Sequence, residues 1–129
     1  IGISIITVVY NNIRGIERTI QSVLNQSYNN IEYIIIDGGS TDGTLDVIKR
    51  YENRISYWIS EADEGIYNAM NKGILKAHGS FLNFMNSGDT FVTSTTIERL
   101  IERYEKGDKI IYGNILKCYD RRKESIISS

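Results

Sequence analysis

The sequence predicts an α/β domain with a Rossmann-like, mostly parallel sheet and helices on both faces. Three observations carry that reading. The run Ile34-Ile-Ile-Asp37 is continuously apolar, as a strand covered by helices on both faces should be, and it ends on a carboxylate before the polar turn Gly38–Gly43. The chain opens on a second β-rich run, Ile3-Ser-Ile-Ile-Thr-Val-Val-Tyr10, which ends in Tyr10 and Asn11. Further short apolar runs alternate with segments of helical periodicity, the pattern of a parallel sheet with right-handed crossovers.

Each element follows from its local pattern. The first strand is expected over Ile3–Tyr10. A helix follows from about Ile13 to Asn25, because Ile16, Ile20, Val23 and Leu24 share one face. The second strand covers Ile31–Asp37. A helix over Thr44–Tyr51 groups Leu45, Ile48 and Tyr51, with Thr44 as its N-cap. A short strand, Ser56–Ser60, leads to a helix over Ile66–Lys76. Ile66, Ala69, Met70, Gly73, Ile74 and Ala77 fall at helical spacing there, and His78-Gly79 ends it, with His78 capping the dipole. The strand Phe81–Met85 runs into Asn86-Ser-Gly-Asp89. A helix over Thr95–Lys106 is amphipathic through Ile97, Leu100, Ile101 and Tyr104, and Gly107-Asp108 stops it. A strand Lys109–Tyr112 closes the regular part. The tail from Ile115 to Ser129 reads either as a strand pair or as a frayed end.

With 129 residues, residues 1–129 make one domain with room for a single core. Net charge is −1, which argues against bulk electrostatic binding of nucleic acid or an anionic membrane. The one cysteine, Cys118, cannot form an internal disulfide and is expected to be inert, which suits a reducing cytoplasm. No apolar stretch approaches the roughly 20 residues needed to span a bilayer, and no signal-peptide pattern is visible. The abundance of Ile, Asn, Lys and Tyr, with no proline, points to an AT-rich bacterial genome.

Strand ends that feed helices are where open α/β sheets bind ligands, and the polar groups gathered there describe the walls of a nucleotide site. The first strand–helix turn, Tyr10–Gly15, lacks the G-x-G-x-x-G fingerprint, and no Walker motif occurs. A bound pyrophosphate would need another counter-charge, such as a carboxylate-held Mg²⁺ or Mn²⁺. Asp89, following the strand Phe81–Met85, either ligates such an ion or caps the next element. Asp37 either accepts hydrogen bonds from a base or ribose, or caps the Gly38–Gly43 turn. Tyr10 either contacts the base or is an ordinary strand-end tyrosine. Asn71 orders the site from an inner helix face or serves structure alone. Glu61 and Arg121-Arg-Lys123 read as solvated charges.

Four segments, in order, resemble the start of family-2 glycosyltransferases of the GT-A fold: Thr7-Val-Val-Tyr-Asn11; Asp37-Gly-Gly-Ser-Thr-Asp-Gly-Thr44; Ser60-Glu-Ala-Asp-Glu-Gly-Ile-Tyr-Asn-Ala-Met-Asn-Lys-Gly73; and Ala77-His-Gly-Ser-Phe-Leu-Asn-Phe-Met-Asn-Ser-Gly-Asp89. The resemblance implies an inverting transfer of sugar from a nucleotide-diphosphate donor to a saccharide or lipid-linked saccharide acceptor. It implies a role in surface glycan synthesis and a location in the cytoplasm, at the inner face of the membrane. Tyr10, Asn11, Asp37, Gly38, Asp63, Asn71 and Ser87 would then contact the donor, and Asp89 would hold Mg²⁺ or Mn²⁺ where the family has the last aspartate of its Asp-x-Asp segment. Gly38 stands where many members carry a second aspartate. Catalytic domains of that family run longer, so the chain reads as the N-terminal donor-binding part, with the catalytic base beyond Ser129 and no transfer by this part alone. Two other readings remain: a non-catalytic nucleotide-sugar-binding module, or a nucleotidyltransferase, which should carry a glycine-rich basic phosphate loop that Tyr10–Gly15 is not.

Overall fold

The structure, a computed structural model, describes residues 2–105, 117–120 and 125–126. The chain forms β1 (Ile3–Val9), α1 (Ile13–Leu24), β2 (Ile31–Asp37), α2 (Thr44–Arg50), a 3₁₀ turn (Glu52–Arg54), β3 (Tyr57–Ser60), α3 (Ile66–Lys76), β4 (Phe81–Phe84), α4 (Thr96–Glu105), β5 (Lys117–Asp120) and β6 (Ser125–Ile126). The sheet order is β3-β2-β1-β4-β5-β6. The first four strands in that order are mutually parallel, with Ile3 opposite Ile31 and Phe81, whereas β5 and β6 run antiparallel. The tail therefore supplies a strand pair. The strand expected at Lys109–Tyr112, like the Arg121–Lys123 run and the Cys118 side chain, lies outside the described residues.

Strand alternation divides the core into two layers. Ile3, Ile5 and Val9 of β1 and Tyr33 and Ile35 of β2 meet Ile16, Ile20 and Val23 of α1, Val47 and Ile48 of α2, and Ile97, Leu100 and Ile101 of α4. The alternate residues Ile6, Val8, Ile34, Ile36 and Leu82 face Ala69 and Ala77, at α3 and its end. Each fully buried aliphatic side chain contributes roughly 1.5–3 kcal/mol relative to exposure. The Tyr104 ring meets Phe81 edge-on, with centroids 4.8 Å apart, and this seats α4 on β4. Within the larger layer the Tyr33 hydroxyl and Thr7 Oγ1 satisfy each other at 2.8 Å, and burial pushes the phenol's pKa up.

Helix α3 lies close on β1 because residue 73 has no side chain. A Cβ there would stand 2.5 Å from Ile6 Cγ2. The expectation that Thr44 caps α2 is corrected: Gly43, at φ +101°, holds the cap position. Thr44 is the first helical residue, and its N–H and hydroxyl both donate to Asp42 Oδ1, at 3.0 and 2.5 Å. Those bonds, the hydroxyl's first, hold the exposed Asp42 carboxyl below its ordinary range. His78 does not cap α3 either. Ala77, in an extended conformation, ends that helix. His78 lies beyond it and pairs with Glu32, its N–H at 2.7 Å and its ring Nδ1 at 2.8 Å. Glu61 is not merely solvated, since its carboxylate meets Lys72 Nζ at 3.1 Å.

Candidate functional site

The strand order reverses at β1, because the chain runs outward through β2 and β3 and then returns to place β4 on the other side of β1. Ligand crevices of open α/β sheets form at the carboxyl edge beside such a reversal. Tyr10, Asp37 and the Asn86–Asp89 turn share this edge. Val9 is in register with Asp37, and Asp37 with Ser60. The turn after β4 is tied to β1 by Met85 N–H to the Ile6 carbonyl at 2.9 Å and Ser87 N–H to the Val8 carbonyl at 3.1 Å. An open pocket of about 320 Å³ lies at this edge, lined by Val8, Val9, Tyr10, Asp63, Gly65, Ile66 and Ala69. Of its lining side chains among the described residues, only those of Asp63 and Tyr10 carry polar atoms. Tyr10 is 63% exposed and Ile66 50%, so the pocket mouth carries an aromatic ring and an aliphatic chain open to a ligand.

The sequence left open whether Asp37 reads a base or caps its turn, and the geometry selects the cap. The carboxylate is fully buried. Oδ2 accepts from the N–H groups of Gly39 at 3.0 Å and Ser40 at 2.8 Å and from Ser60 Oγ at 2.8 Å, while Oδ1 accepts from Ser40 Oγ at 2.5 Å. Three of these bonds fall on Oδ2 and one on Oδ1, and no part of the side chain is exposed. Asp37 thus builds the Gly38–Gly43 loop rather than facing a ligand. Asn11 acts similarly from β1: it adopts φ +46°, its Oδ1 accepts from Thr41 N–H at 2.7 Å, and its own N–H donates to Ser40 Oγ at 2.8 Å. Asn tolerates this left-handed backbone better than other side chains.

Asn71 is exposed on α3 and is absent from the pocket lining, which corrects its expected place on an inner face. Asp63 is brought to the pocket. Its Oδ1 accepts from Gly65 N–H at 3.2 Å, and Oδ2 stands 3.1 Å from where a Cβ on Gly38 would lie. Ser87 is half-buried beside the β1–α1 turn, its Oγ 3.0 Å from Asn12 Nδ2. Asp89 is exposed, and among the described residues its carboxylate has no recorded hydrogen bond or ion pair.

Two positioning residues escaped the sequence reading. Asn12 caps α1 through Oδ1, which accepts from Gly15 N–H at 3.1 Å, while its amide nitrogen reaches Ser87. An Asn immediately before a helix-periodic run is a standard N-cap signal, so it was there to be found. Thr19, buried on the inner face of α1, accepts from Gly88 N–H and lies 2.8 Å from the Asp89 carbonyl oxygen. A hydroxyl within the Ile16–Ile20–Val23 stripe was its signal.

Comparison with known proteins now bears on this edge. The family model described as "Glycosyl transferase family 2" matches residues 4–128. The chain belongs to that family. An uncharacterised glycosyltransferase of Mycobacterium tuberculosis is 41% identical over 101 residues, covering 78% of this chain. The chain spans 38% of that relative's length. Among solved structures, a mannosyltransferase from Pyrobaculum calidifontis in complex with GDP-Man and Mn²⁺ aligns with TM-score 0.78 at 16% identity, over 93% of this chain and 44% of that one. S. aureus TarS 1-349 in complex with UDP-GlcNAc aligns with TM-score 0.72 at 22% identity, over 86% of this chain and 33% of that one. At such identities these likenesses establish the fold, which is of the GT-A type.

Among the described residues at this edge, the pocket between β1 and α3 and the Asp89 carboxylate are both open to solvent. No group of three His, Cys, Asp or Glu side chains is gathered for a metal among the described residues. That donor set fits an ion held jointly by one carboxylate, waters and substrate phosphates, as Mg²⁺ often is, and does not fit an all-protein cage. No described helix is long and apolar enough to cross a membrane.

Proposed function

We propose that residues 1–129 form the donor-binding part of a glycosyltransferase that moves a hexose-type sugar from a nucleotide-diphosphate donor to a saccharide or lipid-linked saccharide acceptor, with inversion, in surface glycan synthesis. The observation that carries the proposal is the convergence of the apolar pocket, its single carboxylate Asp63 and the free carboxylate Asp89 on the edge where the strand order reverses. Tyr10 and Ile66 cover a base, Asp63 accepts from it, and Ser87, held by Asn12, faces the phosphates. Asn11 and Asp37 fix the loops around them, and Gly38 leaves room between those loops.

Asp89 would hold the divalent ion, Mg²⁺ or Mn²⁺, which supplies charge neutralisation for the departing diphosphate. Around it Thr19 fixes the backbone of Gly88 and Asp89, so the carboxylate projects from a pinned turn. Inversion requires a base within hydrogen-bond reach of the acceptor hydroxyl. We assign that role to a part of the parent enzyme outside residues 1–129, which would act in the cytoplasm at the inner face of the membrane.

A calorimetric panel of nucleotide-sugars, with and without Mn²⁺, tests the reading. Metal-enhanced binding of at least one donor is expected. Absence of binding to every donor under both conditions would overturn it.

A further inference from the structure

We infer that Asp63 selects the donor's base: it takes bases that present a ring N–H at the centre of their pairing edge (uracil, thymine, guanine) over those that present a ring-nitrogen lone pair there (cytosine, adenine). This rests on the donor-binding reading above and deepens it. Among the described residues, Asp63 is the only carboxylate lining the pocket formed by Val8, Val9, Tyr10, Gly65, Ile66 and Ala69. Asp37, at the end of β2, is buried and accepts from Gly39, Ser40 and Ser60. Buried as it is, it presents no exposed oxygen to the pocket.

Asp63 is half-engaged and half-open. Oδ1 is held by Gly65 N–H at 3.2 Å, which fixes the side chain's orientation at the start of α3. Oδ2 leans over Gly38, and among the described residues no donor is recorded for it. The space it occupies exists because residue 38 lacks a Cβ, which would stand at 3.1 Å, tighter than ordinary contact. Gly38 itself is anchored on β1 by its N–H to the Val9 carbonyl at 2.9 Å, so the glycine cannot easily withdraw.

An ionised carboxylate only accepts hydrogen bonds. Uracil and thymine present N3–H, and guanine presents N1–H beside its amino group; each can donate to Oδ2. Cytosine N3 and adenine N1 would set a lone pair against the negative oxygen. The apolar walls take the faces of any base equally, so discrimination falls to Asp63. A charge-assisted bond of this kind is worth about tenfold or more in affinity.

The test is equilibrium binding of UDP, dTDP, GDP, CDP and ADP to the protein in Mn²⁺. The wild type should prefer UDP, dTDP and GDP over CDP and ADP by about tenfold or more. Asp63→Asn keeps the shape but adds an amide donor, and should cut the UDP-over-CDP ratio by about tenfold. Gly38→Ala keeps the carboxylate but crowds it, and should lower the same ratio to an intermediate value. Binding without base preference, or a ratio unchanged in Asp63→Asn while UDP still binds, would overturn the inference and leave the donor-binding reading standing. Failure of all five to bind would overturn both.

Discussion

Asn12 and Ser87 are 75 positions apart in sequence and joined at 3.0 Å, amide nitrogen to hydroxyl, across the reversal point of the sheet. This contact couples the start of α1 to the turn that carries Asp89. The same asparagine caps α1 through Gly15 N–H, and its own N–H donates to Thr44 Oγ1 at 3.2 Å. One side chain thus sets the relative positions of the turns after β1 and β4.

Replacing Asn12 by Ala should therefore act on stability and on the site together. Loss of the cap costs about 0.5–2 kcal/mol, read as a lower urea midpoint. Asn12→Asp should restore most of the stability, because its carboxylate still accepts from Gly15, but it cannot donate to Ser87. A variant with wild-type stability in both forms would contradict this role.

Asp37→Ala should be among the most destabilising single changes in the loop. It removes the acceptor of buried or part-buried N–H and hydroxyl groups at Gly39, Ser40 and Ser60. A buried donor left unsatisfied costs about 1–3 kcal/mol, so a loss of roughly 3 kcal/mol or more is expected by chemical denaturation. If stability is unchanged and only nucleotide affinity falls, the carboxylate faces the ligand after all.

Gly73→Ala should destabilise by about 1–3 kcal/mol, the usual cost of forcing volume into a packed interface. The new methyl would meet Ile6 Cγ2 at 2.5 Å. A double variant, Gly73→Ala with Ile6→Ala, which removes Cγ2, should cost less than the sum of the two single changes. Additive destabilisation in the double variant would place the cause elsewhere.

Glu32 gives the fold an acid-sensitive clip between β2 and the segment before β4. Partial burial acts to raise its pKa, but hydrogen bonds from His78 and from Ser4 Oγ at 2.7 Å outweigh that and hold it below its ordinary value of 4.5. A lowered folded-state pKa stabilises above the unfolded value, and that contribution is lost as pH falls through the folded one. Glu32→Gln should therefore lower stability at neutral pH and flatten its decline below about pH 4.5. Parallel pH profiles for wild type and variant would contradict the assignment.

Much of this fold was legible because its signals are local and periodic. The apolar run before Asp37 gave a covered strand, and the spacing of Ile16, Ile20 and Val23 gave the inner face of α1. Family motifs located the carboxyl edge. Side-chain direction was not legible: Asp37 and Asp63 both sit by glycine-rich turns, and only the hydrogen bonds made after folding send one inward and leave the other at the pocket. His78 looked like a cap because Glu32, its partner, lies 46 positions away. Asn71 looked inward because helical spacing fixes a face only to within the width of its neighbours, and Ala69 and Gly73 take the buried stripe.

The central claim is that this edge binds a nucleoside diphosphate through an ion held by Asp89. Its most direct test is titration of a nucleoside diphosphate into wild type and Asp89→Asn, each with and without Mn²⁺. The account predicts that Mn²⁺ strengthens wild-type binding, that Asp89→Asn removes most of that gain, and that metal-free binding is nearly the same in both proteins. Equal losses with and without Mn²⁺, or an undiminished Mn²⁺ effect in the variant, would contradict it.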